Sequence, residues 1–250
     1  GKGVSIAGLG GVGKTELAIT LVKRLHELGR FKVIYSGSAK RTVLTPAGPQ
    51  TTDPAFIDLI SFLRDLAAWL GVNSTGQPIE HLKKLCLDNL AKQPRTLLFV
   101  DNLETVEDRR LFDLLENELP TNCWVLTTGR VHRIRNFVYQ KELGQLEKRD
   151  AAHLLRYEFK RQGLLELANA PVQELEKRAE MLFCHPLALR WFAWACRRRP
   201  ELWDGQGTPP DKAQLEEFCV SHTLDAISTE SQRTLGAVLA TKNIADATLE

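Results

Sequence analysis

The sequence predicts an α/β fold, a parallel sheet with helices on both faces, followed by a small helical domain and the beginning of another unit. Three observations predict it. A short apolar run, Val4-Ser5-Ile6-Ala7, leads into a glycine-rich loop at residues 8–15, and an amphipathic helix follows. A continuous apolar run, Leu97-Leu98-Phe99-Val100, ends at Asp101, as suits a central strand covered on both faces. Strand-like and helix-like segments alternate up to about residue 145, the pattern of parallel strands joined by right-handed crossovers.

After the glycine loop, Leu17, Leu21, Leu25 and Leu28 recur on one helical face with Ala18 and Val22 beside them, and Gly29 stops that helix. Residues 31–35 predict a second strand. Residues 36–54 are rich in Ser, Thr, Gly and Pro and predict a loop. Helices are expected over 56–70, ending before Gly71, and over 79–90. The strand at 97–100 is followed by a helix around 108–119 and a strand at 123–127. Beyond residue 143 the strand signals stop, and helices are expected over 150–162, 172–182 and 187–196. A Pro/Gly-rich break at 200–210 precedes another helical stretch, 215–239. The expected division is therefore 1–145 for the α/β domain, 146–199 for the helical domain, and 200–250 for a linker and the beginning of a third. The abrupt ends suggest a segment cut from a larger protein.

The chain has 250 residues with a formal net charge of +2, so bulk charge points to neither a nucleic-acid nor a membrane partner. Its five cysteines, Cys86, Cys123, Cys184, Cys196 and Cys219, are odd in number and widely spaced, with no C-x-x-C. That argues against a disulfide framework or zinc site and for a reduced, cytoplasmic protein. The most apolar stretch, residues 181–196, is interrupted by His185, Pro186 and Arg190 and is shorter than the roughly 20 residues of a membrane span.

The chemistry is carried by Gly8-Leu9-Gly10-Gly11-Val12-Gly13-Lys14-Thr15. A phosphate chain is a dense cluster of negative oxygens, held only where many backbone N–H groups point inward. That conformation requires residues without a Cβ, here Gly8, Gly10, Gly11 and Gly13. The loop opens a helix, whose N-terminal partial charge adds to the attraction. Lys14 is expected to reach the β and γ phosphates, and the Thr15 hydroxyl to bind Mg²⁺. The strand before and the helix after are the context that turns G-x-x-x-x-G-K-[ST] into a phosphate loop, which implies ATP or ADP with Mg²⁺. Nucleotide contacts are expected from Gly8, Gly10, Gly11, Val12, Gly13, Lys14, Thr15 and Glu16.

Asp101 ends a buried strand, where ligands of open α/β sheets bind, and a carboxylate there can hold the Mg²⁺ water shell. The next position, where many ATPases carry a general base, is Asn102, which cannot take a proton. Glu104 lies close by; it is either that base or a helix-start carboxylate without a catalytic part. Arg130 ends the segment Trp124-Val125-Leu126-Thr127-Thr128-Gly129. From the neighbouring strand it can reach a γ-phosphate; the alternative is a solvated loop arginine. His185-Pro186-Leu187-Ala188-Leu189 reads, taken alone, as a helix start with proline in the first turn.

Together these residues resemble the NB-ARC domains of STAND-class P-loop ATPases, especially the bacterial members. The matching segments are residues 8–18; Val33-Ile34-Tyr35-Ser36 through Ser38-Ala39-Lys40, with Leu44-Thr45-Pro46; and Leu97-Leu98-Phe99-Val100-Asp101-Asn102-Leu103-Glu104. The fourth is Val125-Leu126-Thr127-Thr128-Gly129-Arg130, which resembles the family's sensor strand. The last is Cys184-His185-Pro186-Leu187-Ala188-Leu189, which resembles its Gly-Leu-Pro-Leu-Ala-Leu element. The resemblance spans about residues 1–196. It implies that Arg130 senses the γ-phosphate, that Pro186 contacts the adenine ring, and that a winged-helix domain begins near residue 213. Three departures stand out. Asn102 replaces the second acidic residue, Cys184-His185 replaces the glycine element, and the winged-helix histidine that contacts the ADP β-phosphate is not identifiable.

The implied function is a nucleotide switch: ADP holds the units closed, and exchange for ATP opens them and permits homo-oligomerisation for signalling or defence. Hydrolysis would be slow. Effector and sensor domains would lie outside these residues. Two alternatives remain open: an ATP-dependent transcription regulator that binds DNA, for which only Arg197-Arg198-Arg199 is locally basic, and a metabolic P-loop kinase, for which no acceptor-site signature is recognisable.

Overall fold

The computed structural model describes residues 2–40, 42–45, 48–51, 53–134, 136 and 138–204. Five strands form one sheet in the order β2-β5-β6-β1-β7, all parallel. They are β1 (Gly3–Ala7), β2 (Val33–Ser38), β5 (Thr96–Asp101), β6 (Cys123–Gly129) and β7 (Val138–Glu142). The expected α/β fold is present, and its two covered faces can be read from side-chain alternation, because successive strand residues point to opposite sides. Tyr35, Leu98, Val100 and Val125 join the buried residues of α2 (Leu59–Trp69), α3 (Ile79–Lys92) and α4 (Arg109–Asp113). Ile6, Leu97, Phe99 and Leu126 face the other way, against Ala18 of α1 (Lys14–Glu27).

On α1, Ala18 is fully buried, with Ile19, Leu21, Val22 and Leu25 packed around it, whereas Leu17 and Leu28 are exposed. The core-facing stripe therefore follows Ala18 and not the Leu17–Leu28 line, because the small residue allows the helix to approach the sheet closely. The expected stops at Gly29 and Gly71 are present, both at positive φ. α2 is narrower than 56–70 because Asp58 caps it: its carboxylate accepts from the Ser61 N–H at 2.8 Å, and the Asp58 N–H donates to the Ser61 hydroxyl at 3.1 Å.

Four expectations need correction. The stretch read as a loop at 36–54 begins with the last half of β2 and contains an antiparallel hairpin, β3 (Thr42–Thr45) and β4 (Gly48–Thr51). Ser36-Gly37-Ser38 is composed like a turn but pairs in register with Phe99, Val100 and Asp101 of β5, and ladder hydrogen bonds outweigh local propensity. Gly37 lacks a Cβ where one would strike the Tyr35 and Phe56 rings. The strand starts at Val33 and not at residue 31, because Phe31 turns under the sheet edge to meet Trp124 edge-on at 5.7 Å. The helix expected around 108–119 is α4 followed by a π-helical turn at Leu114–Glu118. Finally, β7 carried no strand signal: Val138-Tyr139-Gln140-Lys141-Glu142 is a polar edge strand, paired with β1 on one side and exposed over most of its length.

Beyond β7 the described chain is helical: α5 (Lys148–Gln162), the short α6 (Leu165–Ala168), α7 (Val172–Met181) and α8 (Pro186–Arg198). These helices bury a separate cluster that includes Leu155, Phe159, Leu175, Ala179, Leu189, Phe192 and Cys196. α5 ends at Gly163 in the left-handed region, a glycine stop. α7 ends differently. Its closing bonds run from the Phe183 N–H to the Glu180 carbonyl and from the Cys184 N–H to the Ala179 carbonyl, a Schellman arrangement in which the left-handed residue is Phe183, at φ 55°. Cys184 is also left-handed, at φ 50°. The winged-helix reading and the helix at 215–239 lie outside the described residues. No helix among the described residues is long and apolar enough to cross a membrane.

Candidate nucleotide site

The site forms where β1, β5 and β6 end together. β1 delivers the glycine loop, which turns on three glycines at positive φ: Gly8 (149°), Gly11 (78°) and Gly13 (100°). Gly10 is not among them. Its small size matters for packing, since a Cβ there would lie 3.4 Å from the Arg130 guanidinium. Three of the four glycines thus meet the conformational requirement expected of them, and the fourth answers to a neighbour. Gly13 then serves as the N-cap of α1, so Lys14 and Thr15 open the helix.

Asp101 ties the loop to the sheet. The residue is 6% exposed, and its carboxylate accepts three hydroxyls: Thr15 at 2.8 Å and Thr128 at 2.5 Å on Oδ1, and Ser38 at 3.0 Å on Oδ2. Parallel register explains the convergence: Ser38 pairs with Asp101 across β2 and β5, and Thr128 sits one residue from the end of the neighbouring β6. Thr128 also accepts the Asn102 N–H at 3.0 Å. Asn102 itself is left-handed (φ 65°), a conformation that Asn tolerates better than most residues.

Lys14 is buried, and its ammonium donates to the Gly8 and Leu9 carbonyls, each at 2.9 Å. Burial holds its pKa below the ordinary lysine value, with nearby Arg130 acting the same way and Glu104 opposing them. Glu104 is 7% exposed. Oε1 lies 3.7 Å from Arg130 Nε, and Oε2 is buried without a hydrogen-bond partner. Burial pushes its carboxyl pKa up, against the pull of Lys14 and Arg130. Gly129 leaves the room it occupies, since a Cβ there would stand 3.4 Å from Glu104 Oε2. Arg130 therefore lies between Glu104 and the loop at Gly10, not in solvent.

The structure thus brings Lys14, Thr15, Asp101, Glu104 and Arg130 into one cluster with Gly8, Gly10, Gly11, Val12 and Gly13. Val12 is buried; Glu16 is exposed on the first turn of α1, and its carbonyl accepts the Thr20 hydroxyl at 2.9 Å. Pro186 occupies the first turn of α8 and is half-buried. The contacts from α8 to the loop are made by its neighbours. His185 Nε2 donates to the Gly10 carbonyl at 3.0 Å, and a Cβ on Gly11 would meet Leu187 at 2.8 Å. Sequence reasoning missed His185, Ser38 and Thr128 as members of the cluster. Parallel register was the signal for the last two; nothing local marked His185.

Oxygen donors fit a hard dication: Thr15 and Asp101 stand together, and Mg²⁺ is commonly held by one or two protein oxygens with substrate phosphates and water supplying the rest. The orphaned Glu104 oxygen adds an unsatisfied acceptor to the same cleft. A surface concavity lined by Leu28, Gly29, Arg30, Lys32, Pro94 and Arg95 lies before the N-terminal ends of β2 and β5, at the opposite edge of the sheet.

No protein-family model matches the sequence, and no curated protein is similar to it. Solved structures are similar in fold. A Walker-type ATPase of Pyrococcus abyssi is 13% identical, with a TM-score of 0.51 over 98% of this chain and 72% of that one. The ORC2 protein of Aeropyrum pernix, solved as ADPNP–ADP complexes, is 17% identical, with a TM-score of 0.53 over 91% of this chain and 65% of that one. A STAND protein of Pyrococcus horikoshii with a tetratricopeptide-repeat sensor has a TM-score of 0.49 at 17% identity, over 91% of this chain and 30% of that one. At these identities the similarity is one of fold, and the fold is that of the P-loop ATPases.

Proposed function

We propose that this chain is a nucleotide-dependent switch of the NB-ARC type, which binds ATP or ADP with Mg²⁺ and couples the identity of the nucleotide to the docking of its helical part. The observation that carries the reading is the bond between Thr15 and Asp101 at 2.8 Å, which unites the phosphate loop with the end of a central strand. Bound Mg²⁺ would draw on these two oxygens and neutralise charge on the phosphates. Lys14 is the phosphate cation, and the loop N–H groups from Gly11 to Thr15 cradle the oxygens. Arg130 reads the terminal phosphate, and Glu104 is the residue placed to accept a proton from water.

The switch, as opposed to a plain ATPase, is supported by the five ordered sequence matches and by the contact of α8 with the loop. We divide the chain at about residue 145, where the sheet cluster gives way to the helical one, and assign Pro186 to the adenine contact on the strength of the sequence resemblance. A nucleotide can move such an equilibrium only through differential affinity for its two states. Homo-oligomerisation with ATP belongs to the same proposal. Calorimetry with MgADP and MgATP, together with light scattering in each nucleotide, tests it. Binding of both, lost in Lys14→Ala, with a larger species in ATP alone, is expected. Absence of binding would overturn the nucleotide site, and one unchanged mass in both nucleotides would overturn the oligomerisation step.

A further inference from the structure

We infer that His185 is a positioning residue for the nucleotide: through the Gly10 carbonyl it fixes the phosphate loop in its receptive shape, and so makes affinity depend on the docking of α8. The inference rests on the reading of residues 8–15 as the nucleotide site.

The imidazole comes from the residue just before α8, which is 8% exposed as a whole. Its partner at 3.0 Å is a carbonyl, which can only accept, so Nε2 carries the proton and Nδ1 carries none in the neutral ring. A trans peptide unit is planar, with its C=O and the following N–H pointing in opposite directions. Holding the Gly10 oxygen toward α8 therefore turns the Gly11 N–H away from α8, as a loop that offers N–H groups to an anion requires. Gly11 is pressed from the same side: at φ 78°, a Cβ there would strike Leu187 and approach His185 Cε1 at 3.0 Å. A Cβ on Gly10 would lie 3.4 Å from the Arg130 guanidinium. The Gly10–Gly11 unit is thus in contact with both the residue after β6 and the start of α8.

Nδ1 of His185 is buried without a hydrogen-bond partner. Protonating the ring would place a second N–H and a positive charge there with no acceptor. Burial lowers the His185 pKa below the ordinary value; the bond to the Gly10 carbonyl opposes it, and Lys14, the charged group facing the ring from the start of α1, adds to it. Arg130 lies across Gly10, and the Lys148–Glu180 pair of α5 and α7 faces Cys184, one residue earlier. A group with a depressed folded pKa gives its full support above the ordinary value of about 6.5 and loses it as pH falls through the folded value. The buried seating of the neutral ring is therefore fully favoured at pH 7.5 and progressively less so as pH falls below about 6.5.

MgADP affinity of the full chain at pH 7.5 and pH 5.5, for wild type, His185→Leu and His185→Gln, tests this. Leucine packs without a donor and is expected to bind about three- to tenfold more weakly at pH 7.5, the effect of one hydrogen bond. Glutamine keeps an N–H donor and is expected to recover part of that loss, with a flatter pH profile than wild type; the titration of the nucleotide's own phosphate is common to all three proteins. Wild-type binding matched by both variants at both pH values, or tighter binding in His185→Leu, would overturn the inference and leave the nucleotide site standing. No binding to the wild type at either pH would overturn the site itself, and this inference with it.

Discussion

In the proposed nucleotide site, Arg130 meets Glu104 before it can meet a phosphate, and that competition would set a measurable limit on nucleotide discrimination. Their side chains are 15% and 5% exposed and lie 3.7 Å apart. At an effective dielectric near 20, two unit charges at that distance attract by about 4 kcal/mol, most of it offset by the cost of removing them from water. A charged hydrogen bond from Arg130 to a γ-phosphate contributes about 1.5–3 kcal/mol. The two are of similar size, so the guanidinium gains little by leaving Glu104, and the wild type should prefer ATP over ADP by no more than about tenfold. Glu104→Gln removes the competing charge while keeping the shape. It should raise ATP affinity about three- to thirtyfold with little change for ADP, and suppress whatever hydrolysis occurs. Arg130→Ala should do the opposite, weakening ATP and leaving ADP nearly unchanged. Competition against a fluorescent nucleotide with Mg²⁺ present measures both ratios. An ATP/ADP ratio that Glu104→Gln does not move would refute the competition. Equal loss of both nucleotides in Arg130→Ala would make that arginine a general structural residue.

Lys14→Ala should lower affinity for both nucleotides at least tenfold while the core stays folded, since it removes a charge-assisted contact of about 1.5–3 kcal/mol; calorimetry and circular dichroism report the two halves of that statement. Asp101→Asn should depress turnover and the Mg²⁺ dependence of binding more than binding itself, because the loop's own phosphate contacts survive; a magnesium titration of affinity and rate would expose a failure. Asp108 accepts the N–H groups of Leu59 and Arg110 and pairs with the Arg110 guanidinium, and its pKa is lowered to about 2, chiefly by that arginine. Its folded pKa lies below its unfolded value, so its contribution is complete above about pH 4 and is lost as pH falls toward 2; Asp108→Ala should cost about 1–2 kcal/mol at neutral pH, and that difference from wild type should shrink in acid denaturation. Phe183 is 67% exposed and left-handed at the end of α7, so Phe183→Gly should stabilise the chain by about 0.5–1 kcal/mol, read as a higher urea midpoint at unchanged slope.

What could be read in the sequence was whatever a local rule enforces. β5 is buried throughout, and β1 and β6 over most of their length, so each carries an apolar stretch that the sequence displays. The loop of residues 8–15 had to spend glycines on positive φ, and three of its four glycines do so. The strand that was missed, β7, is bound by no such rule. It pairs with β1 along one edge, and Tyr139, Gln140, Lys141 and Glu142 face solvent, so neither hydrophobicity nor alternation marks it. Ser36-Gly37-Ser38 was misread for the opposite reason, since its composition is that of a turn while its role is set by a partner more than sixty residues away.

The same distinction explains the candidate site. Lys14 and Thr15 follow from the loop, and Asp101 from the end of an apolar run, so all three candidates are legible in the sequence alone. Ser38, Thr128 and His185 depend on what stands opposite them. His185 is the sharpest case. The residues before α8 depart from the glycine element of the resembling family, and in one dimension that departure reads as a weakened match. In three dimensions two successive left-handed residues, Phe183 and Cys184, turn the chain so that His185 reaches the Gly10 carbonyl. A backbone that adopts left-handed φ without glycine costs on the order of 1–2 kcal/mol per residue. Strain of this kind persists only where surrounding contacts over-determine it. The contacts that do so here are the Schellman bonds of α7, the bond from the Leu146 N–H to the Cys184 carbonyl, and the seating of His185 and Leu187 against the glycine loop. The last of these joins the helical part to the phosphate loop, so loosening the loop should relax the turn, and relieving the turn should change the loop. Phe183→Gly therefore tests more than stability: if the turn and the loop are coupled, the variant should also shift MgADP affinity, whereas independent elements would leave it where it was.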